Sequence, residues 1–209
     1  MSLQIHRFLV FVSLTGLLPL ASIAQYKHKK SPPDEILPFI LTGYSVLDME
    51  SGDINKDGID DIILILKKND EDSTSDVNEH PEARPLLLLL RSRDGKLTLA
   101  ARNDSTVYCV NCGGMLGDPY TGITIMNGYF SIEHYGGSSW RWTRIITYKY
   151  STKDKWWYLH RDGSEYTKMN PSTDPNAEAM INAGPDKIRT EKNFGKVRFE
   201  DFSIYKENK

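Results

Sequence analysis

Residues 123–150 read Ile-Thr-Ile-Met-Asn-Gly-Tyr-Phe-Ser-Ile-Glu-His-Tyr-Gly-Gly-Ser-Ser-Trp-Arg-Trp-Thr-Arg-Ile-Ile-Thr-Tyr-Lys-Tyr, and this stretch decides the fold. Asn127-Gly128 stands between two apolar, β-branched runs, Ile123 to Met126 and Tyr129 to Tyr135. That dipeptide suits the positive φ angles of a tight hairpin, so the two runs are expected to pair antiparallel. From Trp140 onward the chain alternates: Trp140, Trp142, Arg144, Ile146, Tyr148 and Tyr150 fall on one face of a long strand, and Arg141, Thr143, Ile145, Thr147 and Lys149 on the other. Turns at Gly136-Gly137, Lys153-Asp154-Lys155 and Asp162-Gly163 extend the pattern into a β-meander.

Upstream, Ile62 to Leu66 and Leu86 to Leu90 are unbroken apolar runs of strand length, the pattern of strands covered on both faces and paired as neighbours. Between them, residues 67–85 carry Asp70, Glu71, Asp72, Asp76, Glu79 and Glu82, and are read as an acidic, flexible, solvated loop. Arg93 to Lys96 turns the chain into a strand at Leu97 to Ala101. Residues 170–196 change to Pro171, Pro175, Pro185, Gly184 and Gly195 with scattered charge. They are read as an irregular segment in which only Ala177 to Ala183 can form a helical turn, and Lys196 to Tyr205 as a return strand. No helical pattern is long enough for crossovers, which argues against a parallel sheet. The expectation is a mainly β, antiparallel meander of about 8–10 strands with little helix, in a single domain over residues 36–209.

The N-terminus reads as an export signal at residues 1–24. Arg7 precedes a largely apolar run from Phe8 to Leu20, and small residues at Ser22 and Ala24 precede Gln25. The apolar run is short for a spanning helix, so no transmembrane segment is expected after cleavage. A polar leader at 25–35 follows. Removal of 24 of the 209 residues leaves 185, enough for one domain with its own core. The formal charge of −2, from 26 basic and 28 acidic side chains, becomes −3 without Arg7. A near-neutral, mixed surface argues against nucleic acid, which calls for a clustered basic face. Localisation is expected in the periplasm or outside the cell of a bacterium.

The most specific motif is Asp53-Ile54-Asn55-Lys56-Asp57-Gly58-Ile59-Asp60-Asp61. Calcium takes about six to eight oxygens, and a tight loop supplies them from alternate residues. Asp53, Asn55 and Asp57 supply side chains, Gly58 the turn, Ile59 its carbonyl and Asp61 the closing carboxylate. An EF-hand is excluded, since its twelfth position here is Leu64 and both flanks read as strands. A strand-flanked loop of this form resembles those of FG-GAP and VCBS-repeat proteins, the exported β-propeller-like family that includes integrin heads. The likeness covers about 25 residues, Leu47 to Leu66 most closely. It implies a structural calcium ion held by Asp53, Asn55, Asp57, Ile59 and Asp61. One loop in place of a regular series, on a chain too short for a closed propeller, implies one or two blade-like units in an open or sandwiched sheet.

Cys109 and Cys112, spaced C-x-x-C, are the only cysteines. In an oxidising compartment the pair is read as a local disulfide. The same thiols could serve as a redox dithiol, or as zinc ligands with His134 and His160. With Gly113-Gly114 and Gly136-Gly137-Ser138-Ser139-Trp140-Arg141-Trp142, they also resemble a pattern in uncharacterised exported bacterial proteins, a likeness that supplies no activity. Asp118, Glu133 and His134 could form the site of an envelope hydrolase, zinc-dependent in one variant, and a triad of Ser138 or Ser139, His134 and Asp118 can be written, though no nucleophile-elbow pattern supports it. The aromatic residues Trp140, Trp142, Trp156 and Tyr148 could instead stack on sugar rings, provided their strand face is open. The leading expectation is a non-enzymatic, calcium-stapled binding or structural module whose partner is an envelope glycan or protein.

Overall fold

The computed structural model describes residues 32–206, which leaves the signal at 1–24 and the leader up to Ser31 outside the described residues. Among the described residues ten strands are formed: β1 Tyr44–Gly52, β2 Asp61–Lys68, β3 Leu86–Arg91, β4 Leu97–Asn103, β5 Tyr120–Met126, β6 Tyr129–Gly137, β7 Trp140–Ser151, β8 Trp156–Met169, β9 Met180–Asn182 and β10 Lys187–Thr190. They make two antiparallel sheets. The first is a sequential four-stranded meander, β1-β2-β3-β4, and the second runs β10-β8-β7-β6-β5, with β9 beside β10 on the same edge of β8.

The two apolar runs do pair as neighbours, Ile62 opposite Leu89 and Ile65 opposite Leu86. Their alternate residues feed two separate cores. Ile63, Ile65, Leu86 and Leu88 pack with Phe130, Ile132, Ile146, Tyr148 and Trp157 of the second sheet, which makes the domain a two-layer sandwich. Ile62, Leu64, Leu66, Leu87 and Leu89 pack on the opposite side with Ile36, from the short 3-10 helix Asp34–Phe39. Each such fully buried aliphatic side chain contributes about 1.5–3 kcal/mol. A polar residue at any of them would strand a hydrogen-bonding group in one core or the other.

The Asn127-Gly128 turn forms as expected, with φ values of 53° and 74°. At Gly128 the missing Cβ has a second use, because the Lys56 side chain lies where a Cβ would stand. Lys56 thereby ties the loop of the first sheet to the hairpin of the second.

Four local expectations are overturned. Asp162-Gly163 is not a turn, and β8 runs through it, because the Asp162 carboxylate pairs across the sheet with Arg144 and Gly163 sits in register with Ile145. Residues 196–205 form no strand. They supply one bridge, Arg198 to Tyr158, then the 3-10 turn Phe199–Asp201 that drops Phe199 and Phe202 into the core. The 170–196 segment contains β9 and β10 and a four-residue helix at Glu191–Phe194, in place of a helical turn at 177–183. The acidic 67–85 segment is not merely solvated. It forms the short helix Glu71–Thr74 and buries both Glu71 and Arg84, since charged groups can leave water when they pair.

Candidate functional site

The loop between β1 and β2 is built by side chains turned onto backbone amides. Asp53 accepts N–H groups from Lys56, Asp57 and Gly58 at 2.6–3.2 Å. Asn55 accepts from Asp57, and Asp57 from Ile59, both at 2.9 Å. Lys56 and Gly58 adopt positive φ, which wraps the chain around these acceptors. Asp61 faces inward with no solvent exposure, and accepts from the backbone N–H of Ile54 and of Arg91. Burial pushes its carboxyl up to about 6 despite those two donors, with Asp57 and Asp53 adding repulsion. Ile54 anchors the loop in the main core, and its carbonyl accepts from the Trp157 indole N–H at 2.8 Å.

The donor chemistry of this loop fits a hard divalent cation: three carboxylates, an amide oxygen and a carbonyl, with none of the three carboxylates in an ion pair among the described residues. Their side chains are spread over the loop's own amides, and among the described residues no three His, Cys, Asp or Glu side chains are gathered to hold a metal.

Cys109 and Cys112 are joined in a disulfide. A zinc site with His134 and His160 is thereby ruled out, because a disulfide offers no thiolate. The bridge lies between β4 and a three-residue 3-10 turn, Gly114–Leu116, far from the helix setting of a redox motif. The adjoining chain is held by Arg84. Its guanidinium is fully buried, grips Glu71 at 2.7 and 3.0 Å and Asp118 at 2.7 Å twice, and donates to the Tyr108 carbonyl.

The hydrolase set does not assemble. Asp118 is committed to Arg84. Glu133 lies on the face of β6 opposite His134 and accepts from Thr124. His134 is 1% exposed, its Nε2 accepts the Tyr108 N–H, and its Nδ1 therefore carries the proton that it donates to the Arg144 carbonyl. Burial pushes this imidazole down to about 3, so it stays neutral with neither nitrogen open to a substrate. Ser138 and Ser139 sit exposed in the β6–β7 turn.

Three of the four aromatic residues expected on an open face are placed elsewhere than in a shared surface. Tyr148 is wholly buried against Phe130 and Phe199 with its hydroxyl on Thr106, because the first sheet covers that end of β7. Trp156 is held between Arg198 and Glu200. Trp140 is 58% exposed at the far end of β7, beside Lys168. Trp142 alone lines a cleft.

That cleft, about 660 Å³, opens where the second sheet extends beyond the first. Cross-strand register sets its floor: Trp142 pairs with Tyr166, and Arg144 with Ser164 and, one strand further, Lys187. Arg144 is held by Asp162 through two 2.9 Å bonds, by the Tyr108 hydroxyl and by the Ile204 carbonyl. Trp142 can lie flat only because its neighbour on β6 is Gly136, where a Cβ would meet the indole at 2.5 Å. Tyr205 closes one wall, and Lys187, Arg189 and Lys206 stand around the opening. The Trp142 and Arg144 spacing was visible in the sequence. The β10 contribution was not, since Lys187 and Arg189 lie in the Pro- and Gly-rich segment.

No protein-family model, no curated protein and no solved structure matches this chain. Among the described residues no helix is long and apolar enough to cross a membrane.

Proposed function

We propose that this chain is an exported, non-enzymatic β module of the bacterial envelope, stapled by one calcium ion in the loop of Asp53, Asn55, Asp57, Ile59 and Asp61, that binds an envelope glycan or protein. The observation that carries the reading is Asp61, a carboxylate removed from water that shares one short loop with Asp53 and Asp57 and forms no ion pair among the described residues. A hard cation compensates such a charge, and the loop's likeness to FG-GAP and VCBS loops supports calcium as the ion. Its role is mechanical. The loop joins β1 to β2, inserts Ile54 between the sheets and carries Lys56 onto the Gly128 turn, so fixing the loop fixes the packing of one layer on the other. Export supports the reading from outside the fold, because the extracytoplasmic compartments supply calcium and oxidise thiols.

Calorimetric titration of the purified protein with calcium is expected to give saturable heat at one ion per chain, abolished in Asp61→Asn. Chelator is expected to lower the melting temperature of the parent and not of the variant. No heat, together with a melting temperature indifferent to chelator, overturns the staple.

A further inference from the structure

We infer that the cleft on the second sheet is a binding site for an acidic saccharide, a pyranose chain bearing carboxylates. The inference rests on the reading of the chain as a binding module and is independent of the calcium staple.

Three features of the cleft converge on that ligand class. Its floor is internally compensated, since Arg144 and Asp162 neutralise each other and are locked by Tyr108 and the Ile204 carbonyl. The floor is thus a rigid polar platform with fixed donors and acceptors, Ser164 among them. Aromatic rings share that floor and form one wall. Trp142 lies edge-on to Tyr108 at 5.5 Å, Tyr205 packs on the same ring at 5.6 Å, and Tyr166 lies across from Trp142 in register. Held rings of this kind offer apolar faces at little entropic cost, the surface that the C–H face of a pyranose needs.

The rim is cationic. Lys187 and Lys206 are exposed, with Lys187 poised over the Tyr166 ring at 5.3 Å. The cleft therefore carries local positive charge on a protein whose formal charge is −2. A bare polyphosphate chain has no apolar face to lay on the Trp142, Tyr166 and Tyr205 rings, whereas a pyranose bearing a carboxylate offers both a C–H face and a charge. The volume, about 660 Å³, lies within the range of small-ligand sites, so a few sugar rings fit and a folded partner does not.

Calorimetry with the trimer of galacturonic acid, the neutral trimer of galactose and poly-glutamate tests the assignment. The acidic trimer is expected to bind at low salt, more weakly at about 0.5 M salt, and the neutral trimer at least about tenfold more weakly. Lys187→Ala combined with Lys206→Ala removes two exposed charges and is expected to weaken the acidic trimer about tenfold at unchanged melting temperature. Tyr166→Ala is expected to weaken both sugars about fivefold, a signature that pure charge attraction would not produce. Equal binding of acidic and neutral trimers, unchanged binding in the lysine variant, or poly-glutamate binding as tightly as the acidic trimer would each overturn the inference. Repeating the titration in calcium and in chelator keeps the two readings apart: sugar binding without calcium heat removes the staple alone, and calcium heat without sugar binding removes the cleft alone.

Discussion

Arg84 and Asp61 are both fully withdrawn from solvent, yet the fold compensates them in opposite ways. Arg84 is gripped by two carboxylates, each through two hydrogen bonds, and one of those carboxylates is itself buried. Asp61 receives two backbone N–H groups and, among the described residues, no ion pair, while two further carboxylates of its own loop repel it. The first arrangement is saturated and can only hold. The second is left without an ion pair among the described residues, and a bound cation is what we propose to balance it. Burial of a charge therefore says little by itself, and the partner list decides whether the residue is a clamp or a receptor.

The largest effect is expected from breaking the clamp. Arg84→Ala leaves the buried Glu71 with only the distant Lys67 ammonium at 4.0 Å and is expected to cost about 3–5 kcal/mol in urea denaturation. A loss below about 1 kcal/mol would mean that the segment 67–85 stays solvated after all.

The second test opposes Asp61 to His134 by pH, in chelator. The Asp61 pKa is raised in the fold from 3.8 to about 6, so the folded state holds the extra proton between these values. Its contribution to stability is complete below about 4 and is lost as pH rises through about 6. The His134 pKa is lowered from 6.5 to about 3, so the unfolded state holds the extra proton. Its contribution is complete above about 6.5 and is lost as pH falls toward 3. The slopes oppose each other between about pH 4 and 6, so the parent is expected to show a shallow profile there. Asp61→Asn should unmask a stability that falls on acidification, and His134→Gln one that falls on alkalinisation, each by about 1–2 kcal/mol across the window in urea melts. Parallel profiles in both variants would refute the opposition.

The smallest effect grades the clamp from within. Asp118 is 37% exposed where Glu71 is 1%. Asp118→Asn is expected to cost about 1 kcal/mol or less by denaturant melt, and Glu71→Gln clearly more. Equal costs would mean that water does not moderate the outer half.

The fold was legible where the signal was local. Ile62–Leu66 and Leu86–Leu90 announce doubly covered strands by having no polar face to show, and Asn127-Gly128 announces its hairpin through backbone conformation. The Cys109–Cys112 bridge followed from spacing and from the expectation of export. What escaped was non-local. Asp162-Gly163 carries genuine turn chemistry, overruled by an arginine on the neighbouring strand. Glu71, Arg84 and Asp118 become a cluster only once three distant segments meet, and each alone looks like an ordinary surface charge. Likewise Trp142 and Tyr148 share a face by strand periodicity, but which end of that face lies under the other sheet depends on the unequal width of the two layers. The open end became the cleft and the covered end became core.

The bond from the Trp157 indole to the Ile54 carbonyl has a practical consequence. An almost wholly buried fluorophore is tethered to the backbone of the acidic loop, so the molecule carries its own optical gauge of that loop's conformation. Its emission and near-ultraviolet dichroism would register a tightening or loosening of the loop without any label.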